Sequence, residues 1–230
     1  MNIIVGGGKY GCYAIEHLRQ TGKAFIVVDT DTKCLAVKRF RLKMTPQVSS
    51  DRESFVKGDL STALKLLESL KTEHVFPTAP VHIAADLARV KFNLEPLPDL
   101  INAILPKLPE VVVLQSGKGK LVASFNRDAD CVQKCTMPKV CPSSRISKPC
   151  TMIELFRFAC PDAFILISYS MAPGMGALKG KELLEFLDWV KTKQEFIVAT
   201  ACDCHGVLNA FKKRKTALRI NHFDVRKARV

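Results

Sequence analysis

A chain of 230 residues, 47% hydrophobic and 25% charged, has the composition of a globular protein that can bury one large core or two smaller ones. No apolar run reaches the roughly 20 residues needed to cross a bilayer, and residues 1–6 lack the basic and apolar regions of a secretory signal. The expectation is therefore a cytoplasmic protein with no membrane span. Nine cysteines, an odd number, argue against a closed disulfide framework and for thiols or metal ligands. The net charge of +13 is concentrated at one end, with eight Lys or Arg and one Asp between Lys212 and Val230. That excess reads as a solvated basic tail, so nucleic acid is not an expected partner.

Strand and helix signals alternate from the first residue, the pattern of a parallel sheet with crossover helices. Strands are expected at residues 2–5, 24–28, 55–56 and 74–76, with helices at 10–21, 60–70 and 80–91. Residues 94–110 contain four prolines and read as a linker, with room for a short helix. Apolar runs at 111–114 and 120–125 flank Ser116-Gly117-Lys118-Gly119 and predict a hairpin. The cysteine-rich stretch 131–150 has no secondary-structure period. Strands at 163–168 and 195–200 around a helix at 179–190 predict a second βαβ unit, followed by a last helix near 207–213. The fold class expected is α/β: a Rossmann-like parallel-sheet domain over residues 1–93, the linker, a second α/β lobe over 111–213 with a cysteine-rich metal-binding loop, and a basic tail over 214–230.

The segment Gly6-Gly7-Gly8-Lys9-Tyr10-Gly11 follows an apolar strand, opens a helix and fits G-x-G-x-x-G spacing through Gly6, Gly8 and Gly11. In such a loop the first glycine permits the turn, the second admits a pyrophosphate to the backbone, and the third lets helix and strand pack closely. The helix N-terminus presents free N–H groups and a positive dipole end to the phosphates. Asp29 ends the next strand 18 residues past Gly11. There it would accept hydrogen bonds from the adenosine ribose and repel a 2′-phosphate, which favours NAD(H) over NADP(H).

These residues, together with Val28-Asp29-Thr30-Asp31 and Val56-Lys57-Gly58-Asp59, resemble the nucleotide-binding domain of the RCK/KTN (TrkA-N-like) type, which regulates potassium transport. The resemblance covers residues 1–92 and implies that Gly58 and Asp59 lie near the adenine. It departs at Pro77-Thr78-Ala79-Pro80-Val81-His82, which adds a histidine, and it does not extend into the remaining 138 residues. Candidate cofactor-binding residues are Gly6, Gly8, Lys9, Tyr10, Gly11, Asp29, Thr30, Gly58, Asp59 and Thr78. His82 either faces the nicotinamide or serves as a helix cap or surface residue.

Cys131, Cys135, Cys141 and Cys150 are separated by three, five and eight residues within the aperiodic stretch, where packing does not explain four thiols. Structural zinc favours close pairs, of which Cys131 and Cys135 form one. Iron–sulfur ligation tolerates irregular spacing and a proline after a ligand, as in Cys141-Pro142. An iron–sulfur cluster is therefore favoured over zinc. Cys202-Asp203-Cys204-His205 follows the strand at 195–200, where the carboxyl edge of a parallel sheet binds ligands. One of Cys202, Cys204 and His205 could complete the site in place of Cys150. Residues 170–176 read as a flexible loop at that edge, and Cys12, Cys34 and Cys160 as small apolar residues. No catalytic base or nucleophile can be assigned, so an NAD-dependent oxidoreductase is one reading of a nucleotide-binding redox protein. A non-catalytic NAD(H) or redox sensor with structural zinc is the other. An unidentified small molecule or redox partner is implied in either case, and a homodimer is compatible with both.

Overall fold

The computed structural model describes residues 1–45, 53–126, 131–132 and 135–214. Residues 215–230 of the expected basic tail lie outside the described residues.

The chain begins with β1 (Asn2–Val5), a fully buried strand whose Ile3, Ile4 and Val5 are β-branched, followed by α1 (Lys9–Gln20) and β2 (Phe25–Asp29). The helix buries Gly11, Cys12, Ala14, Ile15 and Leu18, a stripe at three- and four-residue spacing, and is left through Gly22 at positive φ. Next come α2 (Leu35–Phe40), β3 (Ser54–Lys57), α3 (Leu60–Ser69), β4 (His74–Pro77) and α4 (Ile83–Lys91). The proline-rich stretch carries β5 (Leu94–Pro96) and α5 (Pro98–Ile104), and buries Ile101, Ile104 and Leu108. The hairpin forms as β6 (Val113–Gly117) and β7 (Lys120–Ser124).

After the cysteine-rich stretch, α6 (Met152–Ala159) starts at a capping box in which Thr151 and Glu154 satisfy each other's backbone N–H groups. The chain then runs through β8 (Phe164–Ile167), β9 (Tyr169–Ala172), β10 (Met175–Lys179), α7 (Gly180–Lys191), β11 (Glu195–Ala201) and β12 (His205–Lys213).

Two mixed sheets result. The first has the order β3-β2-β1-β4-β10-β9, with β3, β2, β1 and β4 parallel and β10 antiparallel to β4 through Leu178 opposite Val75. The second has the order β6-β7-β12-β11-β8, with β5 also paired to β12. The wholly parallel first sheet expected from the sequence is thus corrected to a mixed one, because the second half of the chain supplies its last two strands. β8 and β11 are parallel, as a βαβ unit requires, but the β9–β10 hairpin is inserted ahead of the crossover helix α7. The stretch 170–176, expected as a loop, is that hairpin.

The last helix expected near 207–213 is instead β12, a nine-residue strand hydrogen-bonded to β7, β11 and β5. Its residues alternate between two cores: Leu208 and Ala210 face α5 and α6, while Phe211 faces α4 and α7. Burial on both faces gives a near-continuous apolar run, which hides the two-residue period.

Three apolar clusters stack the elements. One fills the face of the first sheet under α1 and α2, a second lies between the two sheets around α3, α4 and α7, and a third lies beneath α5 and α6. Among the described residues, no helix is long and apolar enough to cross a membrane.

Candidate functional sites

At the glycine-rich loop, each glycine can be tested by what a Cβ would meet. Gly6 has φ +109°, and a Cβ there would come within 2.9 Å of the Ala79 nitrogen. A Cβ at Gly11 would lie 2.2 Å from the Gly6 carbonyl oxygen, so the third glycine is demanded by helix–loop packing. Around a Gly8 Cβ there is nothing within 4 Å, which leaves that side of the backbone open. The start of α1 has no side-chain cap and no acidic residue in its first turn, so its positive end is uncancelled.

Asp29 sits at the carboxyl end of β2. Its Oδ2 accepts from the Gly7 N–H at 2.6 Å and its Oδ1 from the Asp31 N–H at 2.9 Å. The carboxylate therefore rivets the glycine loop to β2, and its remaining lone pairs stay available to a ligand. Thr78, expected to touch cofactor, braces the same loop: its hydroxyl lies 2.7 Å from the Gly6 carbonyl oxygen and 2.9 Å from that of Val5. Lys9, Tyr10 and Thr30 are exposed beside this loop. Gly58 is demanded locally, since a Cβ would lie 2.2 Å from the Thr62 hydroxyl. Asp59 caps α3 by accepting from the Ser61 and Thr62 N–H groups, bonds that hold its carboxyl below the usual range.

A second site lies around the turn between β11 and β12. Cys202, Cys204 and His205 occupy that turn, closed by the Cys202 N–H donating to the His205 carbonyl at 2.9 Å. Together with Cys131, Cys135 and Cys141 they line one cavity of about 320 Å³. Six of the seven candidate ligands are thereby brought together, and Cys150 is not among them.

His205 stands between thiols from the two loops: its Nε2 is 3.4 Å from Cys131 Sγ and its Nδ1 3.6 Å from Cys202 Sγ. Burial lowers its pKa, which favours the neutral imidazole able to serve as a ligand. Burial raises the Cys141 thiol, but hydrogen bonds from the Ser144 hydroxyl and from the Ser144 and Ser143 backbone outweigh it, leaving this thiol below its ordinary value. Cys204 is raised by burial, a rise opposed by the ammonium of Lys148. No group of three or more His, Cys, Asp or Glu side chains is arranged to hold a metal ion among the described residues.

Two residues that the sequence did not single out belong to this cavity. Lys148 is only 7% exposed, and its Nζ donates to Cys204 Sγ at 3.1 Å and to the Met137 carbonyl at 2.9 Å. Asn126 is equally buried; its Nδ2 reaches Cys131 Sγ at 3.5 Å, while its Oδ1 has no hydrogen-bond partner among the described residues. The available signal was a lysine inside an aperiodic, thiol-rich segment. Cys12, Cys34 and Cys160 are buried in apolar surroundings, and burial raises all three thiols.

The β9–β10 hairpin joins the two sites. Because β10 runs antiparallel to β4, the tip of the hairpin falls at the carboxyl edge of the parallel strands, the edge that carries the glycine loop. Met175 packs on the cluster containing Cys12 and Ile15 of α1, and the same residue, with Ser168, Ser170 and Gly176, lines the thiol cavity.

These features define an α/β protein of two mixed sheets, with a glycine-rich loop on one sheet and a thiol-lined cavity between the β9–β10 hairpin and the β11–β12 turn. The chain belongs to a two-part family. Residues 1–83 match the family model described as an uncharacterized protein's N-terminal domain, and residues 83–214 match that of the C-terminal domain. An uncharacterized protein of Archaeoglobus fulgidus is 42% identical over 215 residues, 93% of this chain and the whole of that relative. The resemblance to RCK/KTN proteins is overturned by these matches: the first 83 residues fall to the N-terminal domain of this family and not to a TrkA-N-like domain. No solved structure matches the chain.

Proposed function

We propose that this protein binds NAD(H) at the glycine-rich loop and exchanges electrons between that cofactor and a cysteine-ligated metal centre, an iron–sulfur cluster in preference to zinc. The observation that carries the reading is the gathering of Cys131, Cys135, Cys141, Cys202, Cys204 and His205 around one cavity that shares a hairpin with the carboxyl edge of the first sheet.

Different observations support the two groups. For the nucleotide, a Rossmann-like arrangement is supported by the parallel β3-β2-β1-β4 order, the loop after β1, the open side of Gly8, the uncapped start of α1 and the Asp29 carboxylate at the end of β2. For the metal, the support is the donor set, in which five thiols and one imidazole with irregular spacing line one cavity; among the described residues no three of them are drawn together, so binding would have to gather them. Lys148 supplies a positive charge beside Cys204, which suits a centre made anionic by thiolates.

When bound, the nicotinamide would supply two electrons as a hydride and a cluster would take electrons singly, so the unidentified small molecule or redox partner would have to accept the hydride and pass its electrons on one at a time. The protein's part is to hold the pyrophosphate with the free N–H groups of α1 and the ribose with Asp29. It also keeps His205 neutral and buries Cys141 and Cys204. An unidentified small molecule or redox partner would complete the cycle.

Protein purified without oxygen tests this reading. The expected result is bound iron with a broad visible absorbance that bleaches on adding NADH together with a flavin mediator that accepts the hydride. A colourless protein that carries zinc and still binds NAD(H) would overturn electron exchange and leave a redox-insensitive nucleotide sensor.

A further inference from the structure

A second cavity, unrelated to the thiol site, lies between the start of α4, the β6–β7 turn and β12. Its volume is about 520 Å³, within the roughly 300–1,000 Å³ of small-molecule sites. Its polar wall presents Asn209 beside the buried His82, and at its mouth stand Arg89, Asp86, Lys118 and Lys120.

The charges do not cancel. Arg89 is partnered by Asp86, with Nη1 3.7 Å from Oδ1. Lys118 and Lys120 bracket Gly119 on the glycine-rich turn, and neither has an ion-pair partner among the described residues. His82 adds no charge at neutral pH, because burial holds its pKa down at about 4. Lys120 lines the cavity together with His82 and Asp86. The first turn of α4 opens at the cavity without a side-chain cap, and Asp86 within that turn offsets its positive dipole end, so the lysines rather than the helix set the potential. The remainder is two positive charges without an ion-pair partner among the described residues, beside a pocket whose lining also includes Val81, Pro96 and Phe211.

We infer that this cavity binds a small organic dianion, a phosphate ester or a dicarboxylate, whose charged end is held by Lys118 and Lys120 and whose body rests on the apolar wall. The site is distinct from the glycine loop and from the thiol cavity, and its occupancy does not depend on either.

Titration calorimetry at low salt, with phenyl phosphate and with succinate, tests the assignment. Binding at submillimolar concentration is expected for one or both, and the probe that binds identifies the phosphate or carboxylate source. The Lys118→Gln/Lys120→Gln protein should bind about tenfold more weakly or worse, with an unchanged circular dichroism spectrum, since both side chains are exposed. Lys181→Gln, which removes a charge from an 87%-exposed side chain, should bind as the unmodified protein does. Absence of binding by both probes at millimolar concentration would overturn the inference. So would an equal loss in Lys181→Gln, which would mark the attraction as diffuse surface charge.

Discussion

The Nδ1 of His82 lies 2.8 Å from the Oδ1 of Asn209, a hydrogen bond that ties the start of α4 to β12 in the second sheet. Asn209 directs its Nδ2 to the Gly119 carbonyl, so its Oδ1 faces the ring; His82 therefore donates through Nδ1 and accepts from the Thr200 hydroxyl at Nε2, 2.9 Å away. The residue expected either at the nicotinamide or as a cap or surface group is a buried tie across 127 positions of sequence.

This tie makes stability depend on pH. Burial lowers the His82 pKa to about 4, with Lys120 adding to the effect and the Asn209 bond opposing it. In the unfolded chain the ring takes a proton below about 6.5, while in the folded chain it resists until about 4. Stability contributed by neutral His82 is thus complete above pH 6.5 and falls as pH drops toward 4, by about 3 kcal/mol in total. Urea unfolding of the unmodified and His82→Ala proteins across this range should show that component only in the former. At pH 7 the variant should be less stable by about 2–4 kcal/mol, because Thr200 and Asn209 lose their buried partner. Identical pH profiles for the two proteins would contradict this account.

Two alanine substitutions in the glycine loop should separate folding from binding. Gly11→Ala drives a Cβ into the Gly6 carbonyl and should destabilise the protein by on the order of 2–3 kcal/mol. Gly8→Ala meets no neighbour and has an ordinary φ of −79°, so it should fold normally. Its methyl would nevertheless stand where a pyrophosphate must approach, and NAD(H) affinity should fall at least about tenfold. Thermal unfolding and calorimetry read the two effects separately.

Calorimetry should also find NAD(H) bound more tightly than NADP(H), with Asp29→Ala narrowing the difference. Because Asp29 holds the Gly7 and Asp31 N–H groups, this variant should in addition lose about 1–3 kcal/mol of stability. Asp29→Asn keeps an acceptor for one of these donors while removing the charge, and should retain more stability as it loses discrimination. Equal affinity for both cofactors in the unmodified protein would remove Asp29 from the site.

Single Ser substitutions should sort the thiols by metal content. Loss of metal is expected at Cys131, Cys135 and Cys141, and at one or more of Cys202, Cys204 and His205, the last tested as His205→Ala. Cys150→Ser should retain its metal, because Cys150 does not reach the cavity. Full retention in Cys135→Ser and Cys141→Ser would mark these as ordinary loop thiols.

The local elements were legible where a single stretch of chain contains its own reasons. The turn after β1 needs glycines, α1 needs its stripe of small and apolar residues, and the β6–β7 hairpin needs its glycine turn; each can be read without knowing what lies opposite. The nucleotide candidates follow from such local patterns, as does the suspicion that four thiols in an aperiodic stretch serve something other than a core. Misreadings came where the partner is remote. β12 lacks a visible period because Val207 and Phe211 place apolar side chains on the face opposite Leu208 and Ala210, and only its pairing with β7, β11 and β5 makes it a strand. The β9–β10 hairpin completes a sheet begun some hundred residues earlier, in a register set by Leu178 opposite Val75. Sequence alone left open whether Cys150 or one of Cys202, Cys204 and His205 joins the thiols of 131–141; tertiary structure decided that Cys141 and Cys202 line one cavity, that Cys150 does not, and that Lys148 is buried beside Cys204. The physical reason is the range of the interactions: turn sterics, capping and amphipathic periodicity act within a few residues, whereas strand register and burial depend on surfaces that the folded chain alone brings together.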